Sequence, residues 1–353
     1  MSFFVIGYYA MLIGASCVAA YYKQRQAFLL LFSLTLVSFI VGIVGGVPAL
    51  TFITTAAGAL ALAAGTSYAF REFLVMITPA SISRELKTAP LTASFGMFVI
   101  LTYAIAGIFA PIMAPHGEGE VIAAAFAPAD ENMLLGADQL GRDVFSRLVY
   151  GTRNTVGLAL VATLLAFLMG SVTGMLAATK GGFLDQLLGR VADVIMSVPS
   201  LIFALLMLSI FGTELWVIVI VVAVIYAPRV FRLTRAVAGN VVVMDYIEAA
   251  KLRGEGTGYL IRKEILPNST APLIAEFGLE FCFVFLLIAG LSFLGLGIQP
   301  PTADWGSMVR ENATLISFGD ITPLIPAAAI ALLTVAVNFV VDWMLYRSSG
   351  LKD

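Results

Sequence analysis

The chain has 353 residues, is 60% hydrophobic and only 12% charged, and has a mean hydropathy of +0.98. A soluble protein of this length needs far more polar surface, so the composition indicates an integral membrane protein. The formal net charge of −2 offers no basic stripe for nucleic acid, and the single histidine, His116, has no partner set for catalysis or metal binding.

Nine apolar runs are long enough to cross a bilayer, which takes about 20 residues. They lie at 2–22, 27–46, 49–70, 93–113, 154–178, 192–212, 215–240, 272–296 and 322–346. The first basic residue is Lys23, so the first run lacks the positive start of a signal peptide and is interpreted as an uncleaved span. The sequence predicts an all-α polytopic membrane protein.

Basic residues fall on alternate loops, which predicts the orientation of the chain in the membrane. The five groups are Lys23 with Arg25, Arg71 with Arg84 and Lys87, Lys180 with Arg190, Lys251–Lys263, and Arg347 with Lys352. Short cytosolic loops carry an excess of Lys and Arg, so nine spans place the N-terminus outside and the C-terminus in the cytosol.

Polarity divides the chain into four parts. Residues 1–70 are three accessory spans with almost no polar content, and 71–92 is a polar cytosolic linker. Residues 93–346 form a six-span unit, followed by a cytosolic tail at 347–353. The accessory spans either form a lipid-facing annex or hold an accessory protein, and the sequence leaves both open.

One external segment, "LLGADQLGRDVFSRLVYGTR" at 134–153, predicts an amphipathic surface helix over 139–150. Arg142, Asp143 and Arg147 would form its polar side. Docking of an external protein and simple structural packing both fit this pattern. Trp305, in the next external loop, suits the membrane interface.

A charged island, "DYIEAAKLRGEGTGYLIRKEILPN" at 245–268, separates two apolar runs on the cytosolic side. Asp245 is predicted to cap a helix that ends before the flexible Gly254. A second helix then runs to Pro267. The small Ala249 and Ala250 would let another backbone come close, so the island is either a solvated loop or a docking site.

Two carboxylates, Glu276 and Glu280, follow the island at a spacing that puts them on one helix face. Charge inside a bilayer normally faces protein or water. The pair either lies at the cytosolic boundary or lines the inner half of a solute path, and Glu280 is predicted to face protein and not lipid.

The island resembles the EAA loop of ATP-binding-cassette importer permeases, in which Glu-Ala-Ala, three residues, Gly and ten residues precede Ile-Leu-Pro-Asn. The matching positions are Glu248, Ala249, Ala250, Gly254, Ile265, Leu266, Pro267 and Asn268. Two further segments, 134–153 with its Gly141-Arg142-Asp143 and "LSFLGLGIQPPTADWGSMV" at 291–309, resemble signatures of the dipeptide, oligopeptide and nickel permease subfamily. Ala137 replaces the usual Thr, and Ile288 stands where many relatives have Glu.

The resemblance covers about 93–346 and implies a type I importer transmembrane domain of six helices, to which this chain adds three N-terminal helices. It is closest to the C-type permease, which implies a second related permease, two cytosolic ATPase subunits and an external solute-binding protein at the cell membrane. Glu248 to Leu252 would form the helix docked in an ATPase, and Gly254 would set the turn.

The resemblance implies no cofactor and no catalytic group in this chain. The sequence has no G-x-x-x-x-G-K-[ST] segment, so nucleotide chemistry would belong to partner subunits. Di- or oligopeptides are the first candidate substrates, and nickel or another small solute is the second. A secondary transporter is the rival class, but it usually shows internal repeats and paired broken helices, which the sequence does not indicate.

Overall fold

The computed structural model describes residues 48–348 continuously, with the isolated positions 11, 15, 27, 30, 31 and 34. The predicted spans 2–22 and 27–46 otherwise lie outside the described residues, as do the last five residues of the tail. The chain divides into two units, Met1–Pro79 and Ala80–Asp353. Within the described residues the named elements are all helices, which confirms the all-α class.

The first unit contributes one continuously described helix, α1 (Pro48–Ile77). Proline suits the first helical position because its missing N–H would have no partner there. The helix continues past residue 70, the predicted end of the third span, and carries the adjacent ion pair of Arg71 and Glu72 at 3.3 Å. The predicted linker is therefore largely helical.

The second unit opens with α2 (Ala80–Thr88), α3 (Leu91–Ile108) and the single turn α4 (Ala110–Met113). It closes with α13 (Trp305–Asn312), a 3₁₀ segment (Ala313–Phe318) and α14 (Leu324–Ser348). A Cβ on Gly96 of α3 would lie 2.3 Å from the carbonyl oxygen of Ala336 in α14. The absence of a side chain at Gly96 therefore allows these two spans to touch.

Two very long helices each contain a π-helical turn. The first joins α5 (Val144–Gly151), a π turn (Thr152–Val156) and α6 (Gly157–Lys180). The second joins α11 (Thr257–Tyr259), a π turn (Leu260–Ile265) and α12 (Leu266–Phe293). Each run has 37 residues, about 55 Å at 1.5 Å per residue, so both extend beyond a hydrocarbon core of about 30 Å.

The predicted span at 192–212 is broken, which corrects the prediction of one continuous helix. The structure has α7 (Gly182–Ser197) and α8 (Ser200–Phe211) bent by 88°. Val198 is extended, with φ −93° and ψ 129°. This conformation follows from Pro199, which disfavours a helical preceding residue and has no N–H to continue the helix.

The helix α9 (Leu215–Val242) is the most enclosed span and forms the centre of the second unit. It packs closely on α6 through Gly170 and Gly174. A Cβ on Gly170 would lie 2.6 Å from the carbonyl oxygen of Ala227, and one on Gly174 would lie 2.8 Å from that of Phe231. Such small-residue contacts are typical of helix pairs in membranes.

The number of spans can be compared only within the described residues. Six helices there are long and apolar enough to cross a membrane, or seven if the bent pair α7–α8 counts as one. One of these is in α1, so the second unit has five such helices, or the six predicted core spans if the bent pair is counted as one. The predicted total of nine stays a prediction because the first two spans fall outside the described residues.

Candidate functional site

The charged island begins with α10 (Asp245–Leu252), which matches the predicted first helix. Its N-cap is Met244 and not Asp245, which lies in the first turn and complements the helix dipole there. Gly254 has φ +84° and ends the helix in a Schellman motif. Its N–H donates to Lys251 O at 2.9 Å, and the N–H of Glu255 donates to Ala250 O at 3.2 Å.

The second half of the island differs from the prediction, because Pro267 does not end the helix. The chain continues from α11 through the π turn into α12, and Pro267 occupies the first turn of α12. The N–H of Leu266 donates to Ile261 O, five residues back. This wider turn lets the proline, which cannot donate, lie inside a continuous helical run.

One face of the island is anchored to the membrane domain. Ile247, Ala250, Leu260 and Ile265 are buried together in a cluster that includes Met175 of α6 and Val241 of α9. Ala250 is fully buried, so the prediction that it leaves room for a partner backbone is wrong. Its small side chain instead lets α10 pack against its own chain.

The opposite face of α10 is open. Leu252 is 84% exposed, and Glu248 and Ala249 are exposed beside it. Val243, Met244 and Tyr246 add apolar surface at the start of the same segment. Leu266 and Pro267 are exposed on the second half, where Asn268 Nδ2 donates to Glu264 O at 2.7 Å.

The part of the signature at 141–147 is largely buried, which corrects the prediction of a surface helix over 139–150. The helix starts at Val144, with Asp143 as its N-cap accepting hydrogen bonds from Phe145 N and Ser146 N. Gly141 has φ +76°, and a Cβ there would lie 2.0 Å from Ala123 O. Arg142 is 3% exposed and is not available to a docking protein.

Buried carboxylates explain why these arginines are inside. Arg142 Nε lies 2.7 Å from Asp138, and its Nη2 lies 2.7 Å from Glu311. Arg147, 1% exposed, lies 3.3 Å from the same two carboxylates. The network ties the loop before α5 to α13, so its observed contacts are structural.

Asp304 and Trp305 add further contacts between this loop region and the first long helix. Thr155 in the π turn donates to Asp304 Oδ1 at 2.8 Å, and Trp305 Nε1 donates to Leu148 O at 2.9 Å. Burial raises the pKa of the Asp304 carboxyl, while hydrogen bonds from Ser307 and Thr155 oppose that rise. Trp305 is 1% exposed, so the prediction that it lies at the membrane interface is wrong.

The paired carboxylates lie inside the second unit. Glu280 is 2% exposed, and its Oε2 makes no hydrogen bond within the described part of the chain. Glu276, one turn earlier, is half-buried. Sequence reasoning missed Arg229 on α9, which interacts electrostatically with both carboxylates.

The spacing of Arg229, Arg232 and Arg235 was the signal for this charged region, because arginine at every third residue follows one side of a helix. Arg232 pairs with Asp193 and Arg235 with Asp185, both on α7. The described residues contain no group of three His, Cys, Asp or Glu placed to hold a metal ion.

Comparison with known proteins places these features in a family. Residues 170–349 match the family of binding-protein-dependent transport system inner membrane components. The dipeptide transport system permease protein DppC of Alkalihalophilus pseudofirmus is 32% identical over 263 residues, 74% of this chain and 84% of that protein. The probable D,D-dipeptide transport system permease protein DdpC of Escherichia coli is 33% identical over 269 residues, 76% and 88% of the two chains.

Among solved structures, an inward-facing MetNI methionine ABC transporter aligns with 58% of this chain and 97% of that chain, at 18% identity and a TM-score of 0.48. The family match covers half of the chain, and the sequence relatives are covered over most of their length. The chain therefore belongs to the family of binding-protein-dependent transport system inner membrane components.

Proposed function

We propose that this protein is a permease subunit of an ATP-driven importer and forms half of the translocation pathway for di- or oligopeptides. An external solute-binding protein delivers the peptide, a second related permease forms the other half, and two cytosolic ATPase subunits supply the energy. The substrate class is supported by the sequence relatives, which are named as dipeptide transport permeases.

The observation that carries the coupling role is the two-sided packing of α10. Its buried face, formed by Ile247 and Ala250, fixes it to α6 and α9, while Leu252 and Ala249 are exposed on the opposite face. An exposed leucine beside charged residues is suited to insertion into a partner groove. We place the ATPase contact on this open face.

The second half of the island would transmit the motion. The run Thr257–Phe293 is one helical element from the loop into the membrane. Displacement of α10 by a closing pair of ATPases would therefore tilt α12 as a rigid body and rearrange the pathway. Gly254 sets the angle between the docked helix and this lever.

For the signature segment at 134–153, we favour structural packing over direct docking, the two roles that its sequence left open. The buried Arg142, Asp143 and Arg147 stabilise the outer loops and support the surface to which the binding protein docks. Exposed apolar residues such as Leu134 and Phe318 lie on those loops and are available for the contact. This assignment requires the N-terminus outside and the C-terminus in the cytosol, as the basic loops predict.

The test is the substitution Leu252→Glu, with Phe318→Glu as a matched control. Both side chains are 84% exposed, so neither change removes a buried contact. We expect Leu252→Glu to abolish co-purification of the ATPases and peptide uptake, while Phe318→Glu keeps the ATPases bound. Retention of the ATPases and normal uptake in Leu252→Glu would remove α10 as the coupling helix.

A further inference from the structure

Arg229 is a charged residue near the middle of the most enclosed span. It lies in α9, is itself exposed, and makes no ion pair in the part of the chain that the structure describes. A charged side chain at the centre of a membrane helix is unfavourable unless it faces protein or water, and such residues mark solute paths or pair with other groups. Its position therefore indicates that Arg229 binds a ligand or lines a polar path through the membrane.

Two aromatic rings hold the guanidinium of Arg229 in place. Its Cζ lies 5.3 Å from the ring centroid of Tyr226 and 5.1 Å from that of Phe283 on α12. Tyr226 donates its hydroxyl hydrogen to Phe283 O at 3.0 Å, which joins the two helices at the same level. A guanidinium that stacks on an aromatic face keeps its in-plane N–H donors available for a carboxylate.

Negative charge lies on the other helix of this pair. Glu280 is three residues before Phe283, so it faces the same side of α12, and Glu276 lies one turn further toward the cytosol. Both carboxyl groups interact electrostatically with Arg229, although neither forms an ion pair with it within the described residues. Oε2 of Glu280 is buried without a hydrogen bond. A buried acceptor of this kind is normally paired.

Arg229 differs from the arginines that follow it. Arg232 and Arg235 are neutralised by Asp193 and Asp185, and these four residues line a cavity of about 700 Å³ between α6, α7 and α9. α9 thus carries charge from its midpoint to its cytosolic end. Arg229 is the first of these arginines from the outside and the one whose charge no carboxylate directly balances in the described structure.

We propose that Arg229, Glu280 and Glu276 form a binding subsite for the two charged ends of a short peptide. Arg229 donates to the peptide carboxylate, and the two glutamates accept from its ammonium group. Both ends of a zwitterion are thereby stabilised inside the membrane, and the unpaired Oε2 of Glu280 gains a donor. The inference rests on the proposed peptide-import function and adds a substrate contact within it.

The pairing of charges also separates peptide from metal cation as cargo. Two carboxylates alone would attract a divalent cation, but a fixed guanidinium beside them repels it. A zwitterion interacts favourably with both signs. The site is therefore built for a molecule with an anionic and a cationic end.

The test is equilibrium binding of radiolabelled Ala-Phe to the purified complete transporter in lipid nanodiscs, without the solute-binding protein. Unlabelled Ala-Phe, its C-terminal amide and N-acetyl-Ala-Phe compete with the label. The variants are Arg229→Gln and Glu280→Gln, and Arg232→Gln is the matched control because that arginine already has a carboxylate partner.

For the wild type we expect the amide and the acetylated peptide each to compete about tenfold less well than Ala-Phe, as the loss of one charge-assisted contact predicts. Arg229→Gln should remove the preference for the free carboxylate and keep the preference for the free amine. Glu280→Gln should do the reverse. Arg232→Gln should leave both preferences unchanged.

Three results would overturn the inference. One is an equal loss of affinity for all three peptides in Arg229→Gln; another is failure of that variant to assemble with the second permease, which would make Arg229 an interface residue. A third is no saturable binding to the wild type. Peptide uptake by the wild-type transporter is measured in parallel. Loss of that uptake would contradict the proposed function, whereas the binding results test the subsite alone.

Discussion

Arg142 and Glu311, separated by 169 residues, form a buried ion pair with 2.7 Å between Nη2 and Oε2. The contact joins the loop before α5 to α13. Because Arg147 also approaches Glu311, one carboxylate holds two arginines. The loop before α5 and the helix α13 are thereby fixed to each other.

We therefore predict that Glu311→Gln destabilises the protein. Removing one partner of a buried ion pair costs about 3–5 kcal/mol because the remaining charge is left uncompensated. Thermal unfolding of the purified protein should show a lower midpoint, whereas the exposed Glu131→Gln should not. Equal midpoints for both variants would mean that the network contributes nothing to stability.

Gly254→Val should abolish transport without preventing membrane insertion. Its φ of +84° is unfavourable for a residue with a Cβ, by about 1–2 kcal/mol, and a β-branched side chain is worse. No atom lies within 4 Å of a Cβ built there, so the effect is on the backbone alone. Peptide uptake with expression controlled is the measurement.

The control for this change is Gly256→Val. Gly256 has φ −78° and equally open surroundings, so a side chain is tolerated and uptake should stay near the wild-type rate. If both variants transport normally, the left-handed turn after α10 is not needed for coupling.

Substitutions of the neighbouring Ala249 and Ala250 should impair different properties of the protein. Ala250→Glu places a charge in the buried cluster with Ile247 and Ile265 and should lower protein yield and thermal stability. Ala249→Glu changes an exposed position and should keep stability while ATPase co-purification falls. Identical behaviour of the two variants would contradict the two-sided packing of α10.

Gly170→Leu should prevent correct packing of α6 on α9. A Cβ at that position already lies 2.6 Å from a backbone oxygen that cannot move without shifting the helix. Gly189→Leu, where nothing lies within 4 Å, is the control. We expect loss of folded protein in size-exclusion chromatography for the first only, and a monodisperse Gly170→Leu protein would show that the contact is dispensable.

Orientation is tested by reporter fusions after residues 24, 85 and 350. The basic loops predict cytosolic signals at all three positions. An external signal at 24 with a cytosolic one at 85 would rule out the nine-span topology and leave the six-span unit unaffected.

The parts of the fold that depend on local pattern were predictable from the sequence. Apolar length located the core spans, and the first helix of the island was predicted to follow Asp245 and to end before Gly254, close to the observed Asp245–Leu252. The broken span was missed because a long apolar window averages over Pro199, whose effect is local. Pro267 was predicted to end a helix, but the π turn before it lets the helical run continue through the proline.

Contacts between distant residues were beyond such reasoning. Arg142 and Arg147 were interpreted as exposed because they are charged, and the partner that buries them, Glu311, lies in another loop. Trp305 similarly meets Phe285 and Tyr103 from two other helices. Arg229 was overlooked because its significance depends on Glu280 and Phe283 of α12, which only the packed structure brings beside it.

We propose that this chain couples ATP hydrolysis in partner subunits to import of a peptide. The most direct measurement is uptake of radiolabelled dipeptide into proteoliposomes containing the complete transporter, with ATP on the side of α10 and the solute-binding protein on the other. We expect accumulation that requires ATP, the binding protein and this chain, and that is lost with Leu252→Glu. Accumulation driven by an ion gradient without ATP would contradict it and favour a secondary transporter.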